Sequence, residues 1–122
     1  MKKWHNDSEL QRLISPPNLI KRAMEDWESK EDIEKIRKSK KYKHIFIQKN
    51  IPCKSWLIPF NEMTTFQKNL IIKAEIIRMY DALSNSDKSR LIPIYNIKVF
   101  ATKWHKLKYS DKIRILNYYG IE

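Results

Sequence analysis

The chain predicts a mainly α fold, a small helical domain of four to six helices with an extended Pro/aromatic segment in the middle. Three observations carry this. Glycine occurs once in 122 residues, at Gly120, so the φ > 0 positions that tight hairpin turns use are scarce. Apolar residues recur at helical spacing through most of the chain. Only Tyr42 to Ile47 reads as a strand, and it has no evident partner, so edge strand and extended linker both stay open. A length of 122 residues with 42% apolar residues and four Trp suits a single domain over 1–122.

Taken in order, residues 1–14 place Leu10, Leu13 and Ile14 at i, i+3, i+4, which fits either a short helix or a mobile terminus. Ser15-Pro16-Pro17 is a helix start, with Ser15 as cap and Pro16 in the first position. Ile20, Ala23, Met24 and Trp27 then share one face. Ser29 to Asp32 reads as a break and a second cap, because Ile33 and Ile36 are out of phase with that face. Six acids in 25–34 precede seven Lys/Arg in 35–49, an order that complements a helix dipole. Pro52 and Pro59 keep Ile51–Phe60 extended, and its Trp56, Leu57, Ile58 and Phe60 need a helix to pack against.

Asn61 is the expected cap of the longest helix, which reaches roughly Leu83. One stripe holds Met63, Phe66, Leu70, Ile77 and Tyr80. A second holds Ile72, Ile76, Met79 and Leu83, so this helix is expected at the centre of the core. Ser84 and Asp87 resemble a capping box opening a short turn to Leu91. Pro93 is expected to open another helix, with Ile97, Phe100, Ala101 and Trp104 inward. Ser110 is the expected cap of a last helix that turns Ile113, Leu116 and Tyr119 to one side and Ile115 and Tyr118 elsewhere. Gly120 stops it.

The formal charge is +11, from 25 Lys/Arg against 14 Asp/Glu. Such a balance favours polyanionic partners, although AT-rich coding also enriches Lys, Ile and Asn; the composition points to a viral or mobile-element protein. The low glycine content excludes a Walker loop and a dinucleotide fingerprint. One cysteine, Cys53, excludes an internal disulfide and a cysteine-based zinc cluster. His5, His44 and His105 match no metal-ligand spacing. Neither a long apolar run nor a signal-peptide core is present. These features point to an intracellular protein of cytoplasm, nucleus or nucleoid, not secreted, with no cofactor, no metal and no membrane partner. The acid pairs Asp26/Glu28 and Glu31/Asp32 sit in a solvated charge run, so no convergent acid–base set is formed and no enzyme is expected.

The most informative stretch is Pro93–Gly120. Between Lys98 and Arg114 it carries six Lys/Arg and one acid, Asp111. The candidate phosphate contacts are Lys98, Lys103, His105, Lys106, Lys108, Lys112 and Arg114, with Tyr109 or Tyr118 available to stack on bases. Lys38, Lys40, Lys41 and Lys43 form a second candidate strip.

The run Trp104-His105-Lys106-Leu107, followed by Tyr109-Ser110-Asp111-Lys112 and Ile115, resembles the HMG box. Pro52, Trp56 and Phe60 are similar to that family's extended entry and first-helix aromatics, so the resemblance covers 51–120. It implies an L-shaped three-helix domain that binds the DNA minor groove. Lysines and arginines would neutralise phosphates, and Trp56, Leu57, Ile58 or Met63 would wedge a base step and bend the duplex. The expectation is a non-enzymatic nucleic-acid-binding protein that recognises shape and phosphate, for DNA or RNA. The alternative is a small subunit or inhibitor that docks on a polymerase, nuclease or ribosome through Ile51–Phe60.

Overall fold

A computed structural model describes residues 7–43, 45 and 57–121. Among them are six α-helices: α1 (Asp7–Ile14), α2 (Pro16–Glu28), α3 (Ile33–Lys38), α4 (Thr65–Ala82), α5 (Asn85–Tyr95) and α6 (Tyr109–Tyr118). Two 3-10 turns, Phe60–Glu62 and Trp104–Lys106, precede α4 and α6. The described residues contain no strand, so the mainly α fold expected from sequence is observed. Tyr42, Lys43 and Ile45 lie in helical turns, with Lys43 N–H donating to Ser39 O (2.9 Å) and Ile45 N–H to Tyr42 O (2.9 Å). That corrects the strand reading where it can be checked, because local bonds satisfy the backbone before any neighbouring strand is needed. Phe46, Ile47, Cys53 and Trp56 lie outside the described residues.

The helix boundaries follow local chemistry. Ser15 Oγ and Asn18 Nδ2 both donate to the carbonyl of Arg12 (3.0 and 2.9 Å), satisfying a C-terminal acceptor of α1 while Pro16 opens α2. Asp32 caps α3 by accepting from Lys35 N–H (2.9 Å). Ser84 caps α5 by accepting from Asp87 N–H (3.2 Å). The longest helix starts later than expected. Asn61 is used in a 3-10 turn, and Thr64 forms the cap, exchanging bonds with Gln67 in a reciprocal box (3.2 and 2.9 Å).

Three expectations about the C-terminal third are corrected. Pro93 lies within the last turn of α5, where its missing N–H removes one helical bond, and does not open a new helix. The stop comes at Asn96, in the left-handed region (φ 58°, ψ 42°). A non-glycine residue adopts that conformation most readily as Asn or Asp. The expected helix through Trp104 is therefore an irregular loop, 96–103, followed by a 3-10 turn. Ser110 is not the cap of α6, because Lys108 holds that position and no side chain closes it. Gly120 does terminate the chain's last helix, with φ +79°.

The chain divides into two compact units, one of residues 1–18 with 76–122 and one of 19–75. In the first, Leu10, Ile14, Leu91, Trp104, Ile115 and Tyr119 are buried. Ile115 thus faces inward, contrary to the expected register, while Ile113 is half-buried. A hydroxyl relay ties this unit together. Tyr95 donates to Tyr119 (2.5 Å), and Tyr119 donates to the carbonyl of Ile14 (2.5 Å). In the second, Leu19, Ala23, Trp27, Ile36, Ile71 and Ile72 are buried. Phe66, expected in the core stripe, is 63% exposed. It sits on the first turn of α4, before the buried residues Ile71, Ile72, Ala74 and Ile76.

Candidate nucleic-acid interface

An irregular loop must place its backbone donors and acceptors somewhere. In the unit of residues 1–18 and 76–122, side chains of α4, α5 and α6 hold loop 96–103 and the turn after it. Tyr80 Oη donates to Ala101 O (2.6 Å) and accepts from Ala101 N–H (3.0 Å). Lys88 Nζ donates to Thr102 O (2.8 Å), and Asp81 accepts from Trp104 N–H (2.8 Å). Asp111 accepts from Lys98 N–H (3.2 Å), and Arg114 donates to Asn96 O (3.1 Å). Trp104 packs edge-on against Tyr80, with ring centroids 5.9 Å apart. Burial pushes the Lys88 ammonium below its ordinary pKa, although the nearby Asp81 carboxylate favours its charge.

This framework displays the cations read from the sequence. Lys98, Lys103, His105, Lys106, Lys108 and Arg114 are exposed, and Lys112 is half-buried. None of the six Lys/Arg forms an ion pair with a described residue. The single acid of the run, Asp111, is fully buried and turned to the Lys98 amide. The solvent-facing side of 98–114 therefore carries positive charge without internal compensation. Tyr109 is 79% exposed at the start of α6.

The second strip divides. Lys38, Lys40 and Lys43 are exposed. Lys41 is not a surface contact. Its ammonium binds Glu75 Oε1 and, at 3.1 Å, Asp26 Oδ2, and its side chain is 9% exposed. Tyr42 Oη donates to Asp26 (2.7 Å), Arg22 Nε lies 3.6 Å from Glu75, and Lys30 lies 3.7 Å from Asp26. Sequence reasoning placed Lys41 outward because it lies in an unbroken basic run, whereas an acid 34 positions later draws it in.

Burial alone would raise the Asp26 carboxyl, but the Tyr42 hydroxyl bond and the charges of Lys41 and Lys30 hold it below 3.8. A carboxylate depressed in the fold contributes stability above its unfolded pKa and loses it as pH falls through the folded value. Urea midpoints of the wild type and Asp26→Asn are therefore expected to differ at neutral pH and to converge well below pH 3.8.

Of the suggested wedge residues, Leu57 is 48% exposed, Ile58 is half-buried and Met63 is buried. Trp27 Nε1 donates to Ile58 O (2.9 Å), and Glu28 accepts from Phe60 N–H (3.2 Å). The described end of the Pro/aromatic segment thus lies against α2, as its composition required. A pocket of about 320 Å³ opens there between Trp27, Ile36 and Leu57–Pro59, with Glu28 and Lys30 also lining it. Among the described residues no three His, Cys, Asp or Glu are grouped to hold a metal ion, and no helix is long and apolar enough to cross a membrane.

The residues missed by sequence reasoning are the positioning groups: Tyr80, Asp81, Lys88 and Asp111. Their partners lie 13 to 23 positions away, beyond any helical periodicity. No protein-family model matches the chain, and no curated protein or solved structure matches it.

Proposed function

We propose that this chain is a non-enzymatic basic nucleic-acid-binding protein that recognises phosphate and shape rather than strict base sequence. The observation that supports this best is the 98–114 surface, where six unpaired cations surround one acid that is buried and internally bonded. Lysines neutralise phosphates and release counterions, and affinity then falls steeply with salt. Lysine outnumbers arginine along the chain, whereas base-edge reading favours Arg, Asn and Gln.

The test is a salt titration of binding to labelled nucleic acids, comparing wild type with Lys103→Glu/Lys106→Glu/Lys108→Glu. Those side chains are exposed, so the fold is expected to tolerate the changes. Micromolar binding at physiological salt is expected, weakened about tenfold to a hundredfold by the substitutions, with the log–log salt slope reduced by about 2–3. Binding insensitive to both would exclude the reading. A preference for bent or cruciform duplex would favour the bending mechanism implied by the HMG-box resemblance.

A second reading, a docking subunit of a nucleoprotein machine, rests on exposed Leu57 beside the pocket at Trp27. It differs in predicting an interaction that high salt does not weaken.

A further inference from the structure

We infer that Tyr109 is a stacking platform for an unpaired base, and that the favoured ligand of the 98–114 surface is a single strand rather than a duplex. The inference rests on the nucleic-acid reading above and specifies the ligand of the same surface.

Tyr109 is the most exposed large hydrophobic side chain among the described residues, at 79%. Its ring meets no other aromatic ring and no cation, and its hydroxyl has no partner, among the described residues. Tyr118, the other candidate, is different. It is 40% exposed, and its ring packs edge-on against Tyr95 and Tyr119, at 4.9 and 5.2 Å. The hydroxyl relay of Tyr95 and Tyr119 anchors the far end of α6, and buried Asp111 and Ile115 seat its body. The ring of Tyr109 is thus presented from a fixed helix end.

Its neighbours complete the chemistry. Lys106 and Lys108 precede it, and Lys112 follows one helical turn later, the spacing at which side chains are neighbours. An aromatic face between lysines matches a nucleotide, whose base offers a π-face and whose phosphate carries the charge. In a duplex that face is already stacked on the next base pair, so an exposed ring gains little there. In a single strand it is free.

The experiment uses the full chain and fluorescence anisotropy at physiological salt. The probes are oligodeoxythymidine, oligouridine, a hairpin duplex of equal phosphate number and a four-way junction. At least one single strand is expected to bind tenfold or more tighter than the duplex and the junction. Tyr109→Ala is expected to weaken that strand about tenfold to a hundredfold, with salt slope and duplex affinity unchanged. Tyr109→Trp should keep wild-type affinity, because it preserves the π-face. Equal binding by Tyr109→Ala and wild type overturns the inference, and so does duplex or junction binding as tight as that of both single strands. The charge-reversal triple variant separates the two levels. Loss of binding in that variant with no effect of Tyr109→Ala removes only the stacking role. No binding of any probe by the wild type removes the nucleic-acid reading itself, and this inference with it.

Discussion

Replacing Lys41 with alanine is expected to lower the unfolding free energy by about 3–5 kcal/mol, the range for stripping one partner from a buried ion pair. Glu75 is 1% exposed, and Lys41 provides its closest charge contact. Arg22 stands 3.6 Å away and compensates only in part. The cost lies mainly in the carboxylate left behind, which stays out of water after losing a charged partner. A variant that removes both members, Lys41→Met with Glu75→Leu, is expected to recover part of the loss, since the buried Glu75 carboxylate is gone while Asp26 and Arg22 each lose a partner. Equilibrium urea unfolding of the single and double variants checks this. A single substitution that costs under about 1 kcal/mol would place Lys41 with the weak surface pairs. The variant also separates structure from binding. Because Lys41 faces the interior, removing its charge should leave the salt slope for nucleic acid unchanged, unlike the removal of exposed lysines.

The second large effect is expected at Trp104. Truncation to alanine should cost about 3–5 kcal/mol, as for other buried aromatic residues cut to alanine. Trp104 is 6% exposed and packs on Tyr80, whose hydroxyl holds both backbone groups of Ala101. Loss of the indole opens a cavity beside that clamp and loosens the loop that carries Lys98 and Lys103. Affinity for nucleic acid should fall even though no cation has been removed. Trp104→Phe retains an aromatic ring against Tyr80 and is expected to cost less than half as much. Thermal unfolding and the salt titration, run on both variants, test the two parts of the argument. An alanine variant with wild-type stability would show that the loop is held by its hydrogen bonds alone.

These two sites mark where sequence patterns stop being informative. Ser84, Asp32, the helix start at Pro16 and Gly120 were readable because a cap, a start or a stop is set by side-chain type over three or four residues, whereas Ser15, expected to cap α2, donates back to the Arg12 carbonyl. Proline misled the reading at Pro93. It is common at the first position of a helix, yet α5 already had its start at Ser84 and tolerates proline in its last turn. The register of α6 was misjudged at Ile115 because two apolar stripes fit the same ten residues. Packing selected the one that buries Ile115 and Leu116.

By itself the sequence determined the helical class, several helix boundaries, the strong positive charge and the basic character of 98–114. All of these depend on residue type and on spacings within about one helical turn. Only the tertiary structure decided which charges face water. It turned Lys41 and Asp111 inward, left Lys103, Lys106 and Lys108 outside, and exposed Tyr109 while covering Tyr119. The physical reason is that a charged side chain turns inward toward partners that only the fold brings to it. Here those partners, Asp26 and Glu75 for Lys41 and the Lys98 amide for Asp111, lie 13 to 34 residues distant in the chain.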